Sequence, residues 1–196
     1  MPSFDEFSRQ LLEEAKRFLE KAEATGDPGQ SAYLHAALTL GVCALEAHVN
    51  SVCDDFLTRR DFSVLDRSIL SERNYQLQDG EFRITERLKM YRLEDRIEFL
   101  FRRFSKTPLD KQSSWWGQLQ ATFLARNSLS HPKSISTLTC PAVERALQSV
   151  IDALEALYKA VYKKPFPPQA RGLNFDTRLL TVTRSRTWVR CSILEG

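Results

Sequence analysis

The segment between residues 30 and 60 constrains the fold of this chain more than any other. Its apolar residues recur at steps of three and four, which predicts one long helix from about Gln30 to Arg60. The stripe consists of Leu34, Leu38, Val42, Leu45, Val49, Val52 and Phe56. A neighbouring flank is apolar as well, with Tyr33, Ala37, Leu40, Ala44 and Ala47. A helix that is apolar on several sides is expected at the centre of a bundle.

The same periodicity predicts four further helices. The first spans Phe4 to Ala22, and the third begins before Leu93. The fourth ends at His131, because Pro132 disfavours helical dihedral angles in the residue that precedes it. The fifth starts with Pro141 in its first turn. Residues 61–89 are less regular, and we predict a short helix there, then a loop over 74–85 with an extended piece at 82–84.

Composition agrees with a helical chain. Only 7 of the 196 residues are Gly and 8 are Pro, and this scarcity of helix breakers favours long helices. Hydrophobic residues make up 42% and charged residues 27%, which excludes a disordered or collagen-like chain. We therefore predict an all-α fold, an up-and-down bundle of four to five long helices over residues 1–162.

Residues 163–196 are predicted to form a Pro-containing linker and a basic C-terminal segment. Apolar residues alternate in part of it, which indicates either a short β-hairpin or an extended tail. Eight cations stand between Ala156 and Gly196, namely Lys159, Lys163, Lys164, Arg171, Arg178, Arg184, Arg186 and Arg190, against Asp176 and Glu195. The segment could bind phosphate groups, be a solvated hairpin, or serve as a partner-binding tail.

Several classes of site are not expected. No apolar run approaches the roughly 18 residues of a membrane span, and the first residues lack the features of a signal peptide, so we expect a cytoplasmic protein that binds no membrane. Four cysteines, Cys43, Cys53, Cys140 and Cys191, form no CxxC pair, so we expect reduced thiols, with Cys43 and Cys53 packed, no metal site and no cofactor. The net charge of +3 does not by itself indicate a nucleic-acid binder.

Arg126 and His131 carry the chemistry that the sequence suggests. Arg126 falls on the packing stripe of the fourth helix, where a guanidinium needs an anionic partner or access to water. His131 follows five positions later, where Pro132 lets the chain leave helical geometry. A fixed cation beside a group that titrates near neutral pH suits reactions at a phosphodiester. Asn127 and Ser130 add hydrogen-bonding groups, although an Arg and a His at this spacing can also be purely structural.

This motif, in a helical chain and followed by one more amphipathic helix, resembles the HEPN superfamily (higher eukaryotes and prokaryotes nucleotide-binding domain). Its members are helical bundles with an R-x-x-x-x-H motif, often with a polar residue after the Arg, as Arg126, Asn127 and His131 show here. The resemblance covers about residues 1–162. It implies metal-independent endoribonuclease activity, a homodimer whose sites face each other, and a toxin or prokaryotic defence effector with an antitoxin or defence-system partner.

The chain departs from one group of HEPN proteins, and another group suggests an alternative function. HEPN toxins that are silenced by nucleotidyl transfer carry a Tyr two residues after the motif His, and this chain has Lys133 there. Some HEPN proteins are not catalytic, so the alternative is a helical module that binds a protein or a nucleotide.

Other residues are weaker candidates. Glu46 lies on a polar stripe of the central helix, and the resemblance implies that an acidic residue there contacts the motif Arg; the alternative is a Glu facing solvent. Asn50, one turn on, is expected to share that cluster. His48 is expected at the surface or an interface, and His35 is a weaker candidate still. Trp115 and Trp116 could stack on bases, but core or dimer contacts are favoured.

Overall fold

The computed structural model describes residues 4–24, 28–105, 107–133 and 137–166. The helices in this part are α1 (Phe4–Glu23), α2 (Gln30–Asp54), α3 (Val64–Ser71), α4 (Leu93–Phe104), α5 (Ser114–Ser130) and α6 (Cys140–Tyr162). One antiparallel sheet contains β1 (Arg73–Gln78) and β2 (Glu81–Leu88). The predicted helical class is confirmed, with a small two-stranded sheet in addition.

The central position predicted for α2 follows from its contacts. It packs against all five other helices, and α6 packs against α1, α2, α4 and α5. Leu38, Val42 and Leu45 are almost fully buried, as the apolar stripe requires. Within the described ranges, Gln30–Asp54 is the one helix long and apolar enough for a membrane span, and 61% of that apolar window is buried inside the molecule. The apolar residues of this helix therefore form part of the core.

Gly41 allows α2 and α6 to approach each other closely. It is buried, and a Cβ atom at this position would collide with the Leu147 side chain of α6, which is 1% exposed. The absence of a side chain at Gly41 thus sets the spacing of the two helices that form the centre of the fold.

The ends of α5 and α6 confirm the boundaries expected from the prolines. His131 is the C-cap of α5, with φ −134° and ψ 68°, and Pro132 follows. Thr139 caps α6 by accepting a hydrogen bond from the Ala142 amide, and Pro141 lies in the first turn. The helix α2 ends at Asp54, six residues before the predicted end, because the chain turns there and places Phe56 against Phe104 with ring centroids 4.3 Å apart.

The loop predicted over 74–85 is wrong, since these residues belong to the β-hairpin, but the extended piece predicted at 82–84 is confirmed and lies in β2. Asp79 and Gly80 form its two-residue turn with φ angles of 51° and 81°, as a type I′ turn requires. The Asp-Gly pair between alternating strands was the local signal for it. The C-terminal segment for which a hairpin or extended tail was predicted lies outside the described residues.

The chain after α6 folds back onto the helices. Lys163 adopts a left-handed conformation with φ 58°, and Phe166 is then 5% exposed against the rings of His48 and Tyr158. The Phe166 amide donates a hydrogen bond of 2.7 Å to Glu155 Oε2. The start of the predicted linker is therefore packed against the helices.

Candidate functional site

The packing of α5 holds Arg126 partly inside the molecule. Leu119, Thr122 and Phe123 are buried on the preceding turns, and Arg126 continues that face and is half-buried. Its Nε atom is buried, and among the residues that the structure describes it has no hydrogen-bond partner. Because a guanidinium keeps its charge at any physiological pH, a half-buried one that bonds to no described residue favours an incoming anion at its accessible atoms.

Glu46 and Cys43 of α2 lie close to Arg126. Cys43 is exposed and Glu46 is half-buried, one turn apart on the same side of the helix. Partial burial raises the pKa of the Cys43 thiol, the Glu46 carboxylate raises it further, and the Arg126 guanidinium lowers it. Both charged groups thus act on one thiol, which groups the three side chains where α2 faces α5.

Glu46 and Arg126 both act on the Cys43 thiol, but no direct bond joins them. Within residues 4–24, 28–105, 107–133 and 137–166 no ion pair or hydrogen bond connects the two side chains. The direct contact that the resemblance implies is therefore not made in this conformation. The carboxylate remains able to accept a hydrogen bond from the guanidinium or from a ligand.

His131 and Asn127 occupy the exposed end of α5. The His131 amide donates to the Asn127 carbonyl over 2.9 Å, which keeps the last turn closed, while both side chains are exposed. Five residues of helix separate His131 from Arg126 by about 7.5 Å along the axis. Because the C-cap leaves helical geometry, the imidazole is in contact with water and can take or give a proton.

Asn50 does not share the Arg126 cluster, so that prediction is wrong. Its Oδ1 accepts a hydrogen bond of 2.7 Å from Nη1 of Arg96, and the same Nη1 lies 3.0 Å from Glu72 Oε2. Arg96 is 2% exposed, and its Nη2 reaches the Leu70 carbonyl. Asn50 thus bonds to a different cation, the buried Arg96, although it lies only one turn along α2 from Glu46.

Sequence reasoning missed the Arg96 cluster, although the signal was present. Arg96 lies between Leu93 and Leu100 on the apolar stripe of α4, in the same relation to its helix as Arg126 to α5. A cation on a packing stripe predicts a buried partner. The partner, Glu72, stands 24 residues away in the sequence, at the end of α3.

The burial of His48, Cys53 and Trp116 tests three further predictions. His48 is 2% exposed, with Nδ1 3.3 Å from the Ser8 hydroxyl, so the surface position predicted for it is wrong. Cys53 is a packed thiol as predicted, and burial raises its pKa to about 11, whereas Cys43 is exposed and not packed. Trp116 is 4% exposed, which agrees with the favoured core role.

In the described part of the chain, no group of three or more His, Cys, Asp and Glu residues could hold a metal ion. Compared with protein-family models, with curated proteins and with solved structures, the chain has no match. The side chains of the site are a half-buried guanidinium without a bonded partner among the described residues, a carboxylate on the facing helix and a solvent-exposed imidazole, a set that can bind a phosphate and move a proton.

Proposed function

We propose that this protein is a metal-independent endoribonuclease of the HEPN type, with an up-and-down arrangement of its long helices. The observation that carries the proposal is Arg126, a half-buried cation whose Nε is enclosed and unbonded, followed at the helix end by the exposed His131. The buried Arg96 also has an unbonded Nε, but its Nη atoms bond to Asn50, Glu72 and Leu70, as expected of a structural Arg, whereas the Arg126 guanidinium bonds to no described residue.

In the proposed reaction a ribose 2′-hydroxyl attacks the adjacent phosphorus. The imidazole of His131 accepts the hydroxyl proton, the bond between phosphorus and the 5′-oxygen of the next nucleotide breaks, and the leaving 5′-oxygen takes a proton from water. The products are a 2′,3′-cyclic phosphate end and a free 5′-hydroxyl end. Arg126 binds the phosphate and stabilises the charge that develops on its oxygens, Asn127 offers a hydrogen bond to the substrate, and Glu46 orients Arg126.

The proposed enzyme acts as a homodimer, and α5 supplies a face for it. Gly117, Ala121, Leu124 and Ser128 are exposed at steps of four, three and four, and Leu124 is 68% exposed. Two such helices can approach closely because the side chains are mostly small. This stripe leads to His131, so that pairing through α5 brings two copies of the site near each other. A defence-system or antitoxin protein is the proposed partner in the cell.

The test is incubation of the purified protein with total RNA and with a tRNA pool, with and without a chelator. Expected are RNA fragments with cyclic phosphate ends in both conditions, and none with His131→Ala. Ser114→Ala, a change at an exposed residue in the first turn of the same helix, is the matched control and should cleave like the wild type. A folded wild-type protein that cleaves neither RNA sample would contradict the proposal.

The second candidate is a non-catalytic helical module that binds a protein. The hairpin favours it, because Leu77 and Phe82 are 62% and 59% exposed on one face of the sheet. In that case Arg126 and His131 serve stability or docking, and any cellular phenotype survives His131→Ala.

A further inference from the structure

The outer edge of β1 is an open strand edge. The two-residue turn makes Gln78 and Glu81 the hydrogen-bonded pair beside it, so the pairs Leu77–Phe82 and Tyr75–Ile84 are the non-bonded ones. The backbone N–H and C=O groups of Tyr75 and Leu77 therefore point away from β2. Among the described residues no other element bonds to them.

The two edges of the hairpin differ. In β2, Thr85, Glu86 and Arg87 stand opposite the single residue Asn74, and this bulge with its charges is a common device against edge pairing. The edge of β1 has neither protection, since Asn74 to Gln78 carries no charge, no Pro and no bulge, and Gln76 to Gln78 are exposed. Its open part begins after Arg73, whose carbonyl accepts a hydrogen bond from Ser68.

We propose that β1 pairs antiparallel with β1 of a second copy of this chain, about a two-fold axis at Gln76, to form one four-stranded sheet. This register places Tyr75 opposite Leu77 of the second copy, so that each such pair exchanges both backbone hydrogen bonds and adds an apolar side-chain contact. It also places Arg73 opposite Asp79 of the second copy at each end. The edge is thus complementary to itself in charge and in apolar character.

The exposed apolar face of the hairpin supports a second copy as the occupant. Tyr75, Leu77, Phe82 and Ile84 lie on the same face, and two hairpins side by side join these faces across the axis. The hairpin carries three cations and three anions, and this absence of excess positive charge disfavours an RNA strand as the occupant. The proposal does not depend on the proposed nuclease activity, because it is tested by the mass of the assembly in solution.

The test uses the full chain with Leu124→Arg in every sample, so that α5 does not contribute to self-association. Gln76→Lys places two ammonium groups opposite each other on the axis and should raise the dissociation constant about fivefold or more. Gln76→Glu should do the same, and an equimolar mixture of the two variants should recover the wild-type constant. Gln78→Lys is the matched control, because its lysine faces the neutral Asn74 and should change nothing.

Sedimentation equilibrium measures the dissociation constants, and native mass spectrometry of the mixture shows whether the two variants pair with each other. Gln76 is exposed, so the circular dichroism of each variant should match that of the parent protein. A parent protein that stays monomeric at high concentration overturns the proposal and leaves the edge to a different protein. Equal weakening by Gln78→Lys, or no recovery on mixing, overturns the two-fold axis at Gln76.

Discussion

Arg96 and Glu72 form an ion pair that is almost enclosed in the molecule. Nη1 of the guanidinium lies 3.0 Å from Oε2 of the carboxylate, and the two side chains are 2% and 15% exposed. Glu72 also accepts hydrogen bonds from the amides of Tyr91 and Lys89, the first through its side chain and the second through its carbonyl. This one residue therefore connects α4, the end of α3 and the base of the hairpin.

Glu72→Gln should lower the free energy of unfolding by about 3 kcal/mol, because a buried cation would lose its counter-charge. Denaturant titration measures the change. The control is Glu98→Gln, whose partner Lys111 lies 2.7 Å away at the surface, with the two side chains 34% and 59% exposed. A partly exposed pair of this kind contributes less than about 1 kcal/mol. Equal losses in the two variants would show that the enclosure of Arg96 is unimportant.

The reactivity of Cys43 reports the grouping of Glu46 and Arg126 without any substrate. The thiolate is the form that iodoacetamide alkylates, and the pKa of Cys43 is raised by burial and by Glu46 and lowered by Arg126. At pH 8, Glu46→Gln should lower this pKa and speed alkylation, and Arg126→Ala should raise it and slow alkylation. Peptide mass spectrometry gives the rate for each cysteine, with Cys140 as the internal control. Unchanged alkylation rates of Cys43 in both variants would show that neither Glu46 nor Arg126 lies close enough to act on its thiol.

Loss of either motif residue should reduce RNA cleavage about 10² to 10⁴-fold. His131→Ala removes the group that moves protons, and Arg126→Ala removes the phosphate-binding cation. Arg126→Lys should fail as well, since an ammonium group does not reproduce the planar fork at a phosphate. Gel-based rates measure the loss in each variant, and full activity of Arg126→Lys would contradict the role given to the guanidinium.

Glu46→Gln should lower cleavage less than the loss of the motif residues and leave the helical fold intact. The change keeps the size of the side chain and removes the negative charge that the proposal has Glu46 exert on Arg126, without removing a direct bond. Single-turnover rates and circular dichroism provide the two readouts. Wild-type rates in Glu46→Gln would show that the Glu46 carboxylate only interacts with solvent and has no part in cleavage.

Gly41→Ala and Gly117→Ala separate helix propensity from packing. Either change gains about 1 kcal/mol of helix propensity. At Gly117 an added Cβ meets nothing within 4 Å, so the gain should appear as stability. At Gly41 it collides with the buried Leu147, and overpacking of about 1–3 kcal/mol should offset the gain. Thermal unfolding should therefore rank Gly117→Ala above Gly41→Ala, and the reverse order would show that α2 and α6 separate at little cost.

The amino-acid sequence by itself determined the helices α1, α2, α4, α5 and α6, the end of α5 and the start of α6. These features are local, because apolar spacing and the dihedral limits of Pro132 and Pro141 act within a few residues. The start predicted for α4 was wrong, since this helix begins at Leu93 and not before it. The hairpin turn at Asp79 and Gly80 was equally local and could have been predicted from the same residues. The Arg126–His131 motif was likewise visible in sequence, because it lies within two turns of one helix.

Only the tertiary structure decided which polar residues meet. Glu46 and Asn50 are one turn apart on α2, yet Glu46 lies near Arg126 of α5, whereas Asn50 bonds Arg96 of α4. His48 is buried because α1 and the chain after α6 cover it. A helix repeat specifies the direction of a side chain about its own axis, but the neighbour it meets there depends on how distant segments pack. Cation and carboxylate partners such as Arg96 and Glu72 are therefore set by that packing.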